Sequence, residues 1–305
     1  MNISVTQLKK AKQDYDENGY AVFRQVLDSS LIKEASAHVE WLCKRYKNIR
    51  PEHLHHPLMR DDAFWVRLVT DCRLQHIASA FLGPDLACFT AHYICKPARD
   101  GHAVLWHQDG SYWNLNPQKA LTLWVAIDSS NSANGCLRMI PGTHRLPLQP
   151  ILKRHDVPNM LATSVGDEYI DESKLVEIHL EPGDVSIHHP NIIHGSKENR
   201  SNMRRCGLDI GYMPASTEIS NENLYLNPIF VAGNVESGQR FRPWPNYDKS
   251  NTIPFDGFEL WDKRALAHNL LHDHVTYTNE SPVDMTNRMM KRIQDGTVKS
   301  GQVVL

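Results

Sequence analysis

The stretch VEIHLEPGDVSIHHPNIIHGS, residues 176–196, decides how this chain is read. Its runs 176–180 and 185–189 are short and β-prone, and Glu181-Pro182-Gly183-Asp184 between them is a tight-turn sequence. The unit is therefore strand, turn, strand. The same texture runs through residues 87–95, 104–107, 121–128, 136–140 and 206–213, with Asn134-Gly135 as a further turn signal. Upstream, the apolar spacing predicts helices over 4–17, 28–46 and 62–81, the first stopped by Asn18-Gly19, with a short strand at 20–26. Helices followed by many short antiparallel strands predict a mainly β fold with flanking helices, a jelly roll. We divide the 305 residues into a helical buttress (1–85), a jelly-roll core (86–213) with an insertion at 141–175, and an extension (214–305), all one domain.

Composition narrows the function. With 41% hydrophobic residues the chain can bury a substantial core. A net charge of −2 offers no field for nucleic acid or an anionic membrane. No apolar run approaches the roughly 20 residues that span a bilayer, and the polar start MNISVTQLKKAKQDYDENGY is unlike a signal peptide. Cysteines 43, 72, 88, 95, 136 and 206 show no CxxC spacing, so free thiols in a reducing cytoplasm are expected. The expected partner is a small molecule; the oligomeric state stays open.

The chemistry lies in His107-Gln108-Asp109, then His194, then Arg205. In extended chain, i and i+2 share a face, so His107 and Asp109 point together while Gln108 turns away. Alone, such a pair reads equally as a surface hydrogen bond. Joined by His194 it becomes two imidazoles and a carboxylate, the set that holds non-haem Fe(II) by one face and leaves the other open. Arg205 suits a carboxylate-bearing co-substrate.

Five ordered blocks carry a resemblance: HQD (107–109), LTLWVAID (121–128), NGCLRMIPGTHR (134–145), PGDVSIHHPNIIHGS (182–196) and Arg205. Together they resemble the phytanoyl-CoA dioxygenase family of Fe(II)/2-oxoglutarate oxygenases, most strongly over 87–213. The resemblance implies a double-stranded β-helix with iron held by His107, Asp109 and His194. It also implies that Arg205 and Ser196 bind the distal carboxylate of 2-oxoglutarate, with Trp124 nearby. Thr90 and His92 share a strand face that either meets the other end of the co-substrate or packs as core. The implied cofactors are Fe(II), 2-oxoglutarate and O2, with ascorbate in support and succinate and CO2 as co-products. Halogenating relatives lack the carboxylate that Asp109 supplies, so halogenation is disfavoured.

Specificity is read from the inward face. Arg205, Gly207 and Asp209 alternate onto one side of a strand, placing a carboxylate where ectoine hydroxylases have an aromatic residue. A buried carboxylate needs a partner, either an internal salt bridge or a cationic group of the substrate. His188 also stands where those relatives are aromatic, and reads as substrate wall or as core. Trp113 matches a substrate-lining tryptophan, with Tyr112 beside it. The expected reaction is hydroxylation of a small polar metabolite bearing an amine or ammonium. A long acyl-CoA fits less well, because the sequence shows no apolar channel and no basic patch for the CoA phosphates. The rivals are a metal-dependent cupin-like hydrolase or isomerase, which would not need Arg205, and a non-catalytic ligand-binding barrel. His53, His55 and His56 are expected in an exposed loop. Phe241, Trp244, Tyr247 and Trp261 are expected as core, oligomer contact or lid.

Overall fold

Ser4 starts the first helix. Its side chain accepts from the Gln7 N–H while the Gln7 side chain accepts from the Ser4 N–H, closing a capping box. In the computed structural model, which describes residues 3–219, 228–235, 238–275 and 280–295, this is α1 (Val5–Asn18). It ends where Gly19 adopts φ 87°, a left-handed conformation that costs a glycine little. β1 (Tyr20–Phe23) leads to α2 (Ser29–Arg45), capped by Asp28 through the Leu31 N–H. The helix predicted over 62–81 is two helices, α3 (Ala63–Val69) and α4 (Cys72–Leu82). The break has a local cause: the Thr70 hydroxyl bonds back to the Val66 carbonyl at 2.7 Å, and Asp71 accepts from the Arg73 N–H at 2.9 Å as a new N-cap.

The strands of the two larger sheets that follow are β2 (Leu86–Lys96), β3 (Val104–His107), β4 (Leu121–Ala126), β5 (Leu137–Met139), β6 (Val176–Ile178), β7 (Val185–His188), β8 (His194–Ser196), β9 (Arg205–Pro214) and β10 (Ile229–Ala232). They form two antiparallel sheets. The larger runs β1-β7-β4-β9-β2-β10, with Leu54–His55 added against β2; the smaller runs β6-β5-β8-β3. Two facing antiparallel sheets of this kind are the jelly roll that the strand pattern predicts.

Register sets out the interior in rows. His188, Thr122, Gly211 and Thr90 stand side by side across the larger sheet. The next row is Ser186, Trp124, Asp209 and His92, and further along Gly207 faces Ile94 and Arg205 faces Lys96. The intervening residues point the other way. Leu123, Val125, Ile187, Leu208 and Ile210 pack with Val39, Phe64, Leu68, Leu74 and Ile77 of the helices. Each such side chain contributes roughly 1.5–3 kcal/mol by burial. The helices thus hold one face of the larger sheet and leave the other to line a cavity.

Past the barrel lie α5 (Phe258–Leu271) and α6 (Pro282–Gln294), the latter capped by Ser281. Phe241, Trp244 and Trp261 are buried, and the two tryptophans stack at 5.2 Å between ring centres, so this cluster serves as core. No described helix is long and apolar enough to cross a membrane.

Candidate active site

His107 closes β3, His194 opens β8, and the two are partners across the ladder of the smaller sheet. Their ring centres are 4.2 Å apart. Each ring is fixed by the same device. Nδ1 of His107 lies 2.8 Å from the Leu105 carbonyl and Nδ1 of His194 lies 3.0 Å from the Ile192 carbonyl. A carbonyl can only accept, so Nδ1 carries the proton and each Nε2 keeps its lone pair for the site. Burial, reinforced by the neighbouring His107, holds His194 well below the usual histidine range and keeps it neutral.

Asp109 completes the cluster from a short turn, Asp109–Tyr112. Its Oδ1 lies 3.4 Å from Nε2 of His107 and 3.5 Å from Nε2 of His194. Its Oδ2 is occupied: the Thr122 hydroxyl donates to it at 2.7 Å, and Nε2 of His188 lies 3.1 Å away. One carboxylate oxygen therefore faces the imidazoles while the other is tied to the larger sheet. Burial opposes ionisation of Asp109, and the hydrogen bond from His188 favours it. The three ligand atoms of His107, Asp109 and His194 lie within 4.8 Å of one another. Two imidazole nitrogens and one carboxylate at this spacing fit Fe(II). Gln108 turns away and braces the turn, its amide donating to the Asn191 carbonyl at 2.7 Å and accepting from the Gln149 N–H at 2.7 Å.

The triad borders a cavity of about 830 Å³, counting its open mouth. Arg205 lines it although only 1% exposed. Its guanidinium donates to the Gly135 carbonyl at 2.7 Å, its Nε has no partner, and among the described residues no carboxylate pairs with it. Burial lowers its pKa to about 10, so it stays charged at neutral pH. A buried cation with an idle donor fits an anionic co-substrate. Trp124 lies beneath, its indole centre 5.7 Å from the guanidinium carbon and its buried N–H without an acceptor. Gly207 makes room for that ring: a Cβ there would stand 1.9 Å from Cζ2 of Trp124. Ser196 lines the same end and receives a hydrogen bond from the buried Lys96 at 2.7 Å. Lys96 was not singled out from sequence, yet Thr90, His92, Ile94 and Lys96 alternate onto one strand face.

Thr90, His92, Asp209, Tyr112 and Trp113 also line the cavity. Asp209 has no internal salt bridge among the described residues; burial and the charge of Asp109 raise its pKa well above the carboxylate range. Tyr112 bonds Thr163 at 2.7 Å, and Trp113 meets Phe89 edge-on at 4.9 Å. His188 corrects the reading of it as substrate wall. It is fully buried, stands behind Asp109 and is not part of the cavity lining, because its ring is drawn onto the carboxylate. The expectation of exposed histidines at 53–56 is also corrected. His55 is 7% exposed, stacks on His92 at 4.4 Å and lines the cavity, because Leu54–His55 pairs with β2. Sequence reasoning missed the apolar rim as well: Met160 and Leu161 from the insertion, and Met289 and Ile293 from α6.

The chain is 28% identical over 233 residues to the peroxisomal phytanoyl-CoA dioxygenase of Rattus norvegicus, a match that covers 65% of this chain and 66% of the rat protein. Among solved structures it shares its fold with the apo form of the non-haem monooxygenase ThoJ, at TM-score 0.63 and 20% identity, over 92% of this chain and 98% of that one. It likewise shares the fold of the epimerase SnoN in complex with Fe3+, alpha-ketoglutarate and nogalamycin RO, at TM-score 0.58 and 21% identity, over 71% and 87% of the two chains. The family model for phytanoyl-CoA dioxygenase matches residues 15–207, well over half of the 305. The chain therefore belongs to the phytanoyl-CoA dioxygenase family of Fe(II)/2-oxoglutarate oxygenases.

Proposed function

We propose that this protein is an Fe(II)- and 2-oxoglutarate-dependent hydroxylase of a small polar metabolite bearing an amine or ammonium group. One observation carries the reading: the His107–Asp109–His194 cluster, the anion-hungry Arg205 and the carboxylate of Asp209 all border one cavity. His107, Asp109 and His194 would hold the metal and leave about three positions free. Bound there with 2-oxoglutarate and O2, iron supplies the oxidising power for C–H hydroxylation, releasing succinate and CO2. Arg205 orients the co-substrate by a charge-assisted pair with its distal carboxylate, Ser196 adds a hydroxyl, and Trp124 forms the floor. Thr90 and His92 bound the other end of that pocket. Thr122 and His188 keep Oδ2 of Asp109 occupied and so aim Oδ1 at the metal. Tyr112 and Trp113, with the apolar rim from the insertion and α6, shield the reacting centre from water.

Asp209 is the specificity element. It faces the cavity without a partner among the described residues, and a substrate ammonium would supply one. Asp209→Ala should raise substrate KM on the order of tenfold or more, the worth of a hydrogen bond to a charged group, while 2-oxoglutarate affinity holds. Succinate release across amines, amino acid derivatives, phosphonates and acyl thioesters identifies the class. A response confined to acyl thioesters, or an unchanged KM in the variant, defeats the amine reading. The six cysteines are all free, which supports a cytoplasmic location.

A further inference from the structure

Lys96 ends strand β2 with 0% of the residue exposed. An ammonium is costly to bury without a counter-ion, yet among the described residues no carboxylate pairs with this one. Glu52 and Glu198 favour its charged form from a distance, but Glu52 is engaged by Arg50 and Glu198 by Arg200. Its partner across the ladder is a second buried cation, Arg205. Burial, and then the charge of Arg205, push the Lys96 pKa well below the lysine range. Among the described residues no acid lies between these two buried basic groups, so an anion entering beside them would favour the charged form of Lys96.

Lys96 does not line the cavity itself. Its ammonium donates to Oγ of Ser196 at 2.7 Å and to the Lys197 carbonyl, and Ser196 does line the cavity. Gly101 and Asn199 pack against the lysine. A Cβ on Gly101 would lie 2.6 Å from the Lys96 Cβ, and the Asn199 amide donates to the Lys96 carbonyl at 3.2 Å. With an ammonium donating to its oxygen, Ser196 keeps its one O–H for another acceptor, and a hydroxyl polarised in this way is a stronger donor.

On the co-substrate reading above, we infer that Lys96 is a positioning residue: it fixes the Ser196 hydroxyl as donor to the distal carboxylate of 2-oxoglutarate beside Arg205. The test is binding, separate from turnover. The Fe(II)-loaded protein is titrated anaerobically with 2-oxoglutarate and the visible charge-transfer band is read for wild type, K96M, S196A and the double variant. Each single variant should bind 2-oxoglutarate on the order of tenfold more weakly, and the double variant no more weakly than the weaker single, because both break one relay. Substrate KM should hold. Wild-type affinity in folded K96M, or additive losses in the double variant, overturns the assignment. If K96M does not fold, K96Q takes its place with the same expectations. Arg205→Met separates the two readings. Undiminished binding in that variant sinks the co-substrate reading itself, whereas lost binding there with intact K96M and S196A sinks only the role of Lys96.

Discussion

Replacing Gly207 with alanine puts a methyl carbon 1.9 Å from Cζ2, 2.2 Å from Cε2 and 2.5 Å from Cη2 of Trp124. Carbon atoms settle at about 3.5–4.0 Å, so the overlap exceeds 1 Å and no small adjustment removes it. The indole is fully buried and backed by its own sheet, so it must leave its rotamer and carry the floor beneath Arg205 with it. Overpacking of this kind costs about 1–3 kcal/mol, which for a chain of this size lowers Tm by a few degrees or more. The displaced floor should also weaken 2-oxoglutarate binding on the order of tenfold, while Fe(II) affinity stays near wild type because no ligand touches Gly207. Thermal melts and an anaerobic 2-oxoglutarate titration check both halves. Wild-type Tm together with wild-type 2-oxoglutarate affinity would refute the reasoning, since the ring would then not occupy the space that only glycine leaves.

Thr122→Val removes the 2.7 Å hydrogen bond to Oδ2 of Asp109 without changing side-chain size. Metal affinity should fall about tenfold, the usual effect of losing a partner behind a metal ligand, measured with Co(II) to avoid oxidation; unchanged affinity would show that the carboxylate needs no brace. Acid should destabilise the metal-free protein through His92, which burial holds at about 4. Its folded pKa lies below its unfolded value of about 6.5, so the stability it contributes is complete above pH ~6.5 and is lost as pH falls toward 4. The slope from this site is at most about 1.4 kcal/mol per pH unit, and His92→Gln should flatten the fall in Tm across that window; an equally steep fall would remove His92 as a cause.

The parts of the site legible in the sequence are those governed by local alternation. His107 with Asp109, and Arg205 with Gly207 and Asp209, are spaced by two along strands, so their common face follows from backbone geometry alone. Carrying the same count along β2 from Thr90 would have reached Lys96. What stayed hidden depends on pairing between distant segments. His55 joins the cavity because two residues add to the edge of β2, and so short a strand has no periodicity to read. Met289 and Ile293 reach the rim because α6 packs over the barrel, a placement no nearby residue announces. Alternation put His188 on the inward face, but only the folded distances show that Asp109 claims it. The split of the 62–81 helix turns on Thr70 and Asp71, whose side chains compete for backbone groups inside an otherwise periodic apolar run.

The central claim is that His107, Asp109, His194 and Arg205 form one Fe(II)/2-oxoglutarate site. Its most direct test is to add Fe(II) and then 2-oxoglutarate to the protein without oxygen and record the visible spectrum. Wild type should develop the charge-transfer band of a chelated 2-oxo acid, and Arg205→Met should require at least about tenfold more co-substrate to reach it. Folded, iron-loaded wild-type protein that shows no band at saturating 2-oxoglutarate would contradict the claim.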